Sequence, residues 1–362
     1  MTDCIIVGGG LIGMLTAREL HLAGASVVLL EKGYLGGEST WAGGGILSPL
    51  HPWRYADAVT ALAGYSQSVY ADIARALYDE SGIDPEYTPS GMLVLASDED
   101  DQAQAWAKRW QVNVSTLQGA ELQHCEPMLG AGWSRGLWMP DVAQLRNPRL
   151  IKAMRGSLQH YRIEVHEQTE VHGLDIHEGR VRGVKTATRT FNADQVVIAG
   201  GAWTAKLLEP YVQAPAIEPV RGQMIIFRGQ AGLLKRILLQ EGHYVIPRRD
   251  GRILAGSTLE YSGFEKATTS EARNVLIESA LRLVPMLGDL EVEHHWAGLR
   301  PGTPTGIPYI CEHPAASGLF INSGHFRNGV VLGAASCRLL VDLMMKRSPV
   351  VDPTPYEMRA SH

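Results

Sequence analysis

Two uninterrupted apolar runs, residues 4–7 (Cys-Ile-Ile-Val) and 27–30 (Val-Val-Leu-Leu), lie near the start of the chain. Short runs of this kind are the pattern of parallel strands buried on both faces. Between them Leu11, Leu15, Leu20 and Leu22 are compatible with a helix that ends at Gly24. Together they predict a βαβ unit with a right-handed crossover. Residues 54–81 repeat Tyr and Ala on helical faces and stop at Ser81-Gly82, residues 91–96 read as a strand, and residues 98–111 read as an exposed helix. A further buried strand covers residues 195–199 and runs into Gly200-Gly201-Ala202-Trp203. The pattern then changes to short strands over 224–227, 244–246 and 252–254, with Asp250-Gly251 as a hairpin signal between the last two. Thr269-Ser270-Glu271 opens a helix to about Leu283. Residues 319–322 form a last strand, followed by a Gly-punctuated loop and a helix over 328–345.

Composition changes this picture at one point, glycine. The chain carries 39, where an average one of its length has about 25. Eleven fall within the first 45 residues, among Val, Ile and Leu, which suggests backbone that approaches a partner closely. Charge is less informative: 33 basic and 38 acidic residues give −5, and the absence of a Lys/Arg block argues against a nucleic-acid groove or a polybasic membrane patch. Cys4, Cys125, Cys311 and Cys337 are scattered without a C-x-x-C, so neither a disulfide framework nor a zinc ribbon is expected, and a reducing, cytoplasmic setting is. No signal peptide is visible, and Arg338 and Asp342 interrupt the apolar stretch 329–345, so a membrane span is not expected. Metal chemistry has no support either: His294 and His295 are adjacent on a strand and point to opposite faces.

The decisive motif is Gly8-x-Gly10-x-x-Gly13 between strand and helix, with Glu31 after the second strand. Gly8 permits the tight turn, Gly10 lets a pyrophosphate approach the backbone, and Gly13 lets helix pack on strand. The helix start, Leu11 and Ile12, supplies free N–H groups and a positive dipole end. Glu31, with Lys32 beside it, is placed to accept ribose hydroxyls and would repel a 2′-phosphate. A second Gly-rich run follows, with Ser39, Thr40, Gly43, Gly44, Gly45 and Ile46, and a third at Gly324-His325-Phe326-Arg327-Asn328-Gly329 leads into Val330 and Val331. Three clusters suit an extended FAD better than NAD.

At this point the sequence resembles the D-amino-acid oxidase family of FAD proteins, most closely its glycine oxidase branch linked to thiazole synthesis. The matching stretches are residues 7–31, 38–49 (ESTWAGGGILSP), 199–203 (AGGAW), 298–301 (GLRP) and 324–329 (GHFRNG), in the family's order. The fold class the motifs and resemblance imply is α/β: a Rossmann-like FAD-binding domain over 1–85, 140–210 and 296–362, interleaved with an α+β substrate domain, built on an antiparallel sheet, over 86–139 and 211–295. The activity implied is oxidation of a small amine by hydride transfer to flavin N5, with imine hydrolysis and dioxygen reduction to hydrogen peroxide. Thiazole supply for thiamine and a homotetramer come from the same resemblance. Among the residues, Arg300 is matched to the substrate carboxylate because a guanidinium offers a planar bidentate fork, with Arg327 assisting and Tyr244 facing the flavin. As bare sequence Tyr244 is equally an ordinary strand aromatic. Leu259 falls where close relatives commonly have Met, and Phe326 where the family has Tyr. Val171 matches a position whose backbone meets the adenine, and Gly200 and Trp203 close the AGGAW stretch. Covalent flavin attachment in related enzymes uses Cys or His at positions that here lack Cys (301–306) or hold Ala42, so FAD is expected to be noncovalent. Two other readings remain at this stage: a D-amino-acid or sarcosine dehydrogenase that passes electrons to a quinone or protein, and a flavin-binding scaffold without turnover.

Overall fold

The computed structural model describes residues 2–95 and 98–358. Its framework is two eight-stranded sheets. In the first, Tyr309–Glu312, Leu319–Ser323, Thr190–Ile198, Thr2–Val7, Val27–Leu30 and Glu164–His166 lie side by side in that order. All these pairings are parallel except that of Tyr309–Glu312 with Leu319–Ser323. A hairpin of Val171–His177 and Arg180–Thr186 continues antiparallel from Thr190–Ile198.

The uninterrupted apolar runs have a direct explanation in this sheet. Cys4, Ile6 and Leu29 face a core built with the helices Leu11–Leu22, Asp57–Ser81, Asn147–His160 and Gly329–Met344. Their neighbours Ile5, Val7, Val28 and Leu30 face a second core with Leu174, Val181 and Val184 of the hairpin. Because successive strand side chains alternate, burial of both faces requires apolar residues at every position.

The second sheet runs Val292–Gly302, Glu218–Phe227, Ile253–Gly256, His243–Pro247, Ile237–Gln240, Met92–Leu95, Arg135–Met139 and Ser115–Gln118. It is antiparallel but for one parallel pairing, Ile237–Gln240 with Met92–Leu95. The hairpin signal at Asp250-Gly251 joins His243–Pro247 to Ile253–Gly256. One face of the sheet packs on Leu276, Ala280 and Leu283 of the helix Ser270–Leu283. That helix is capped by Thr269, whose side chain accepts the Ala272 N–H. The other face, with Met224, Tyr244 and Ile246, turns toward Ile46 and Leu50 of the early Gly-rich segment.

The elements of the first sheet come from residues 2–30, 164–198 and 309–323, and those of the second from 92–139 and 218–302. Residue 296, where the sequence pattern puts a boundary, lies within the strand Val292–Gly302. Ala96, the end of the strand expected at 91–96, is outside the described residues, as are 359–362 of the last expected stretch. The helix expected at 98–111 is Asp100–Trp110, and that at 328–345 is Gly329–Met344.

Candidate active site

A cavity of about 460 Å³ is lined by residues from both sheets, from Val7 to Val330. One end is built on the strand Thr2–Val7 and the helix Leu11–Leu22. Gly8 has φ +112, and a β-carbon there would lie 2.4 Å from the Ala199 carbonyl oxygen. No other residue type fits that turn without displacing backbone. Gly13 is held one turn into the helix by close packing, since a β-carbon would meet the Gly8 carbonyl oxygen at 1.8 Å. It therefore shapes the turn without lining the cavity.

Gly10 caps the helix with no side-chain bond, so its first N–H groups depend on partners from outside the helix. The Leu11 N–H donates to Thr40 Oγ1 at 2.9 Å. In this way the second Gly-rich segment is seated on the helix N-terminus, reinforced by the Gly36 N–H to the Gly9 carbonyl at 2.8 Å. Glu31 is buried, and its carboxylate accepts the Gly9 N–H at 2.6 Å and the Gly33 N–H at 2.7 Å. Its remaining lone pairs are those a ribose would use. Lys32 sits with Nζ 3.3 Å above the Trp203 ring, and burial pulls its pKa below the ordinary lysine value.

The other end is built on the second sheet. Tyr244 and Met224 both oppose Gly256 across the sheet, and the Tyr244 hydroxyl lies 3.9 Å from Met224 Sδ. Arg300 projects from the strand Val292–Gly302 and donates through Nη1 to the carbonyls of Thr258 (3.1 Å) and Arg221 (3.4 Å). Among the described residues no carboxylate pairs with it. Burial pushes its pKa down to about 10, which still leaves the guanidinium charged at neutral pH. Gly222 makes room for it: a β-carbon there would fall 2.0 Å from Arg300 Nη1. Arg327 donates to the Gly242 carbonyl at 3.4 Å.

At the cavity floor, His325 shares a hydrogen bond of 2.8 Å with Ser336 Oγ, which donates to Asn322 Oδ1 at 3.0 Å. Burial drives the His325 pKa down to about 3, so the imidazole is neutral and one ring nitrogen is left to accept.

The cavity thus gathers most of the residues singled out by sequence. Gly8, Gly10, Leu11, Ile12, Glu31, Lys32, Ser39, Thr40, Gly43, Gly44, Gly45 and Ile46 line it. So do Val171, Gly200, Trp203, Tyr244, Arg300, His325, Phe326, Arg327, Gly329 and Val330. Four do not. Gly13 is used in packing, Asn328 and Val331 are buried at the start of the last helix, and Leu259 is 44 % exposed. Leu259 turns outward because Thr258 beside it is fixed inward, its hydroxyl accepting the Gln223 N–H at 2.8 Å and its carbonyl accepting Arg300. A methionine wall is present nevertheless, supplied by Met224 from the neighbouring strand. Met224, Gly222, Ser257 and Asn322 line the cavity without a sequence signal of their own.

The arrangement fits an extended dinucleotide: a glycine cradle and helix N-terminus for phosphates, a buried carboxylate for ribose, and a longer chamber beyond. The sequence profile of the FAD dependent oxidoreductase family DAO matches residues 3–343. The chain belongs to this family. It is 50 % identical over 353 residues to the glycine oxidase of Pseudomonas aeruginosa, covering 97 % of both chains. It is also 31 % identical to the bifunctional protein ThiO/ThiG of Trichormus variabilis, over 95 % of this chain and 53 % of that longer one. Among solved structures, the glycine oxidase of Geobacillus kaustophilus superposes with a TM-score of 0.94 at 28 % identity, covering 99 % of this chain and 98 % of that one. This family member is therefore an FAD-dependent enzyme. Among the described residues no helix is long and apolar enough to cross a membrane, and no group of three His, Cys, Asp or Glu is placed to hold a metal.

Proposed function

We propose that the protein oxidises small amines bearing a carboxylate, namely glycine, sarcosine and small D-amino acids, with dioxygen as the electron acceptor. The observation that carries this reading is Arg300, a half-buried, desolvated cation lining the cavity with no carboxylate partner among the described residues. A partly desolvated cation of this kind is stabilised when an anion arrives to pair with it. A guanidinium with only Nη1 engaged keeps donors free for a bidentate grip on a carboxylate.

In this reading Glu31, Gly10 and the helix N-terminus would hold the adenosine and pyrophosphate of FAD, and the reacting amine would lie over the Arg300–Tyr244–Met224 surface. FAD, when bound, supplies the acceptor for the hydride that leaves the carbon bearing the amine. The protein's part is orientation. Arg300 fixes the carboxylate, the Tyr244 hydroxyl donates to it, and Met224 limits the volume left for a side chain. The imine is released to water, giving a 2-oxo acid and ammonia or an amine, and the second product is hydrogen peroxide. The sheet bearing Gly8 and Glu31 serves the cofactor, and the sheet bearing Arg300 and Tyr244 serves the substrate.

A role in supplying the imine for thiazole formation is supported by similarity to the bifunctional ThiO/ThiG protein. A cytoplasmic setting accords with four free cysteines. A homotetramer follows from the family resemblance, and sedimentation of the purified protein checks it.

The functional test is a peroxide assay on purified yellow protein with glycine, sarcosine, D-alanine and D-proline. Peroxide from at least one supports the reading. Reduction of an artificial acceptor with no peroxide makes the protein a dehydrogenase instead, and no reduction of the flavin by any of the four removes the amine-oxidising assignment.

A further inference from the structure

A second arginine behind the cavity is used by nothing described so far. Arg248 follows the strand His243–Pro247 and is buried. Among the described residues it has no carboxylate partner. Its guanidinium donates instead to three oxygens: Gly44 carbonyl (2.7 Å), Gln144 Oε1 (2.7 Å) and Leu145 carbonyl (3.0 Å). The acids that act on it, Glu86 and Asp250, are both paired with Arg146.

Gly44 and Gly45 line the cavity, whereas Arg248 stands outside the lining. In a trans peptide C=O and N–H point in opposite directions. With the Gly44 carbonyl turned to Arg248, the Gly45 N–H faces away from it. A charge behind the carbonyl also strengthens the N–H in front, because linked hydrogen bonds polarise one another.

We propose that Arg248 is a positioning residue for FAD: it fixes the Gly44–Gly45 peptide from behind, so that the Gly45 N–H is presented to the bound flavin, and its charge favours the reduced, electron-richer cofactor. This rests on the assignment of the cavity to FAD and not on which amine is oxidised. Burial lowers the Arg248 pKa to about 10, so the charge persists at neutral pH.

The test uses Arg248→Met, Arg248→Lys and a control, Gly10→Leu, whose side chain fills the cavity at the glycine cradle. FAD affinity of each apoprotein is measured by titration, and the midpoint potential of each reconstituted protein by equilibration with a reference dye. Arg248→Met should weaken FAD binding about tenfold or more and lower the potential, by about 30 mV for each tenfold lost preference for the reduced form. Arg248→Lys, which keeps the charge but not the three-bond fork, should bind FAD several-fold more weakly with a potential near the parent's. If Arg248→Met does not fold by circular dichroism, Arg248→Lys decides, and parent-like affinity in it overturns the proposal. A folded Arg248→Met with unchanged potential overturns it as well, since a purely structural arginine would alter affinity alone. FAD binding lost in Gly10→Leu but intact in Arg248→Met removes the Arg248 role and leaves the cavity assignment standing. Intact binding in Gly10→Leu removes the cavity assignment, and the proposal with it.

Discussion

Gly222 offers a way to disturb the carboxylate grip without altering any group that would touch the substrate. Its backbone is outside the left-handed region, so alanine adopts it without strain, but the added β-carbon would sit 2.0 Å from Arg300 Nη1 and 2.2 Å from Cζ and Nη2. The flexible end of Arg300 must give way, because the strand carrying Gly222 is paired on both sides. Displacement breaks the two bonds from Nη1 to Thr258 and Arg221, at about 0.5–1.5 kcal/mol each. That is small beside a total stability of about 5–15 kcal/mol, so Gly222→Ala should fold. The cost to substrate is larger. Losing one partner of a buried charge pair costs about 2–5 kcal/mol, which is roughly a 30-fold to several-thousand-fold fall in kcat/KM. Steady-state peroxide production with glycine should therefore show Gly222→Ala approaching Arg300→Ala, with FAD affinity unchanged. The double variant should be no worse than Arg300→Ala alone, because both remove the same interaction. Parent-like kinetics in Gly222→Ala, or losses that add in the double variant, would refute the carboxylate role of Arg300.

Three further expectations concern the cofactor, the substrate volume and acid stability. No cysteine lines the cavity among the described residues, and the Ala42 methyl lies against Gly298. Acid precipitation should accordingly release all the flavin into the supernatant, and yellow colour in the pellet would contradict this. Met224→Ala should raise kcat/KM for D-amino acids with larger side chains relative to glycine by about tenfold, the scale of discrimination by one or two methylenes; an unchanged ratio would show that Met224 does not bound the substrate. Glu80 is partly desolvated, which raises its pKa, but hydrogen bonds from Arg18, Ser157 and Tyr161 outweigh this and leave it below the ordinary carboxylate value. The stability it contributes is present above that ordinary value, about pH 4.5, and is lost as pH falls toward the lower folded pKa. Thermal unfolding followed from pH 6 to pH 3 should thus show a drop in Tm that Glu80→Gln flattens, and parallel acid curves for the two proteins would disprove it.

The parts legible in the sequence are those where neighbouring residues carry the signal. The βαβ unit shows in its apolar runs, the hairpin in Asp250-Gly251, and the cofactor end in Gly8, Gly10 and Glu31, which lie within one local motif. The substrate end depends on sheet register. Met224 opposes Gly256, Gly256 opposes Tyr244, and Gly222 opposes Gly298. These pairings join residues distant in sequence, and nothing in a strand methionine or glycine tells which neighbour it will meet. Leu259 illustrates the limit: the family resemblance puts it at the substrate site, but the hydrogen bonds of Thr258 turn it out. Other elements went unmarked for lack of contrast. Ser115–Gln118 is an edge strand with only exposed and half-buried positions. The helix Asn147–His160 does carry a signal, with Pro148 in its first turn and Leu150, Ile151, Met154 and Leu158 on one buried face.

The span of the cavity lining, Val7 to Val330, also bears on how the protein is made. Synthesis delivers the glycine cradle first, and the floor of Asn322, Ser323, His325 and Arg327 almost last among the lining residues. A nascent fragment ending before residue 319 lacks the strand Leu319–Ser323 that pairs with Thr190–Ile198, so it cannot offer FAD a complete chamber. Ligand stabilises only the form that binds it. FAD can therefore lend its binding energy only to a chain that already includes these last lining residues.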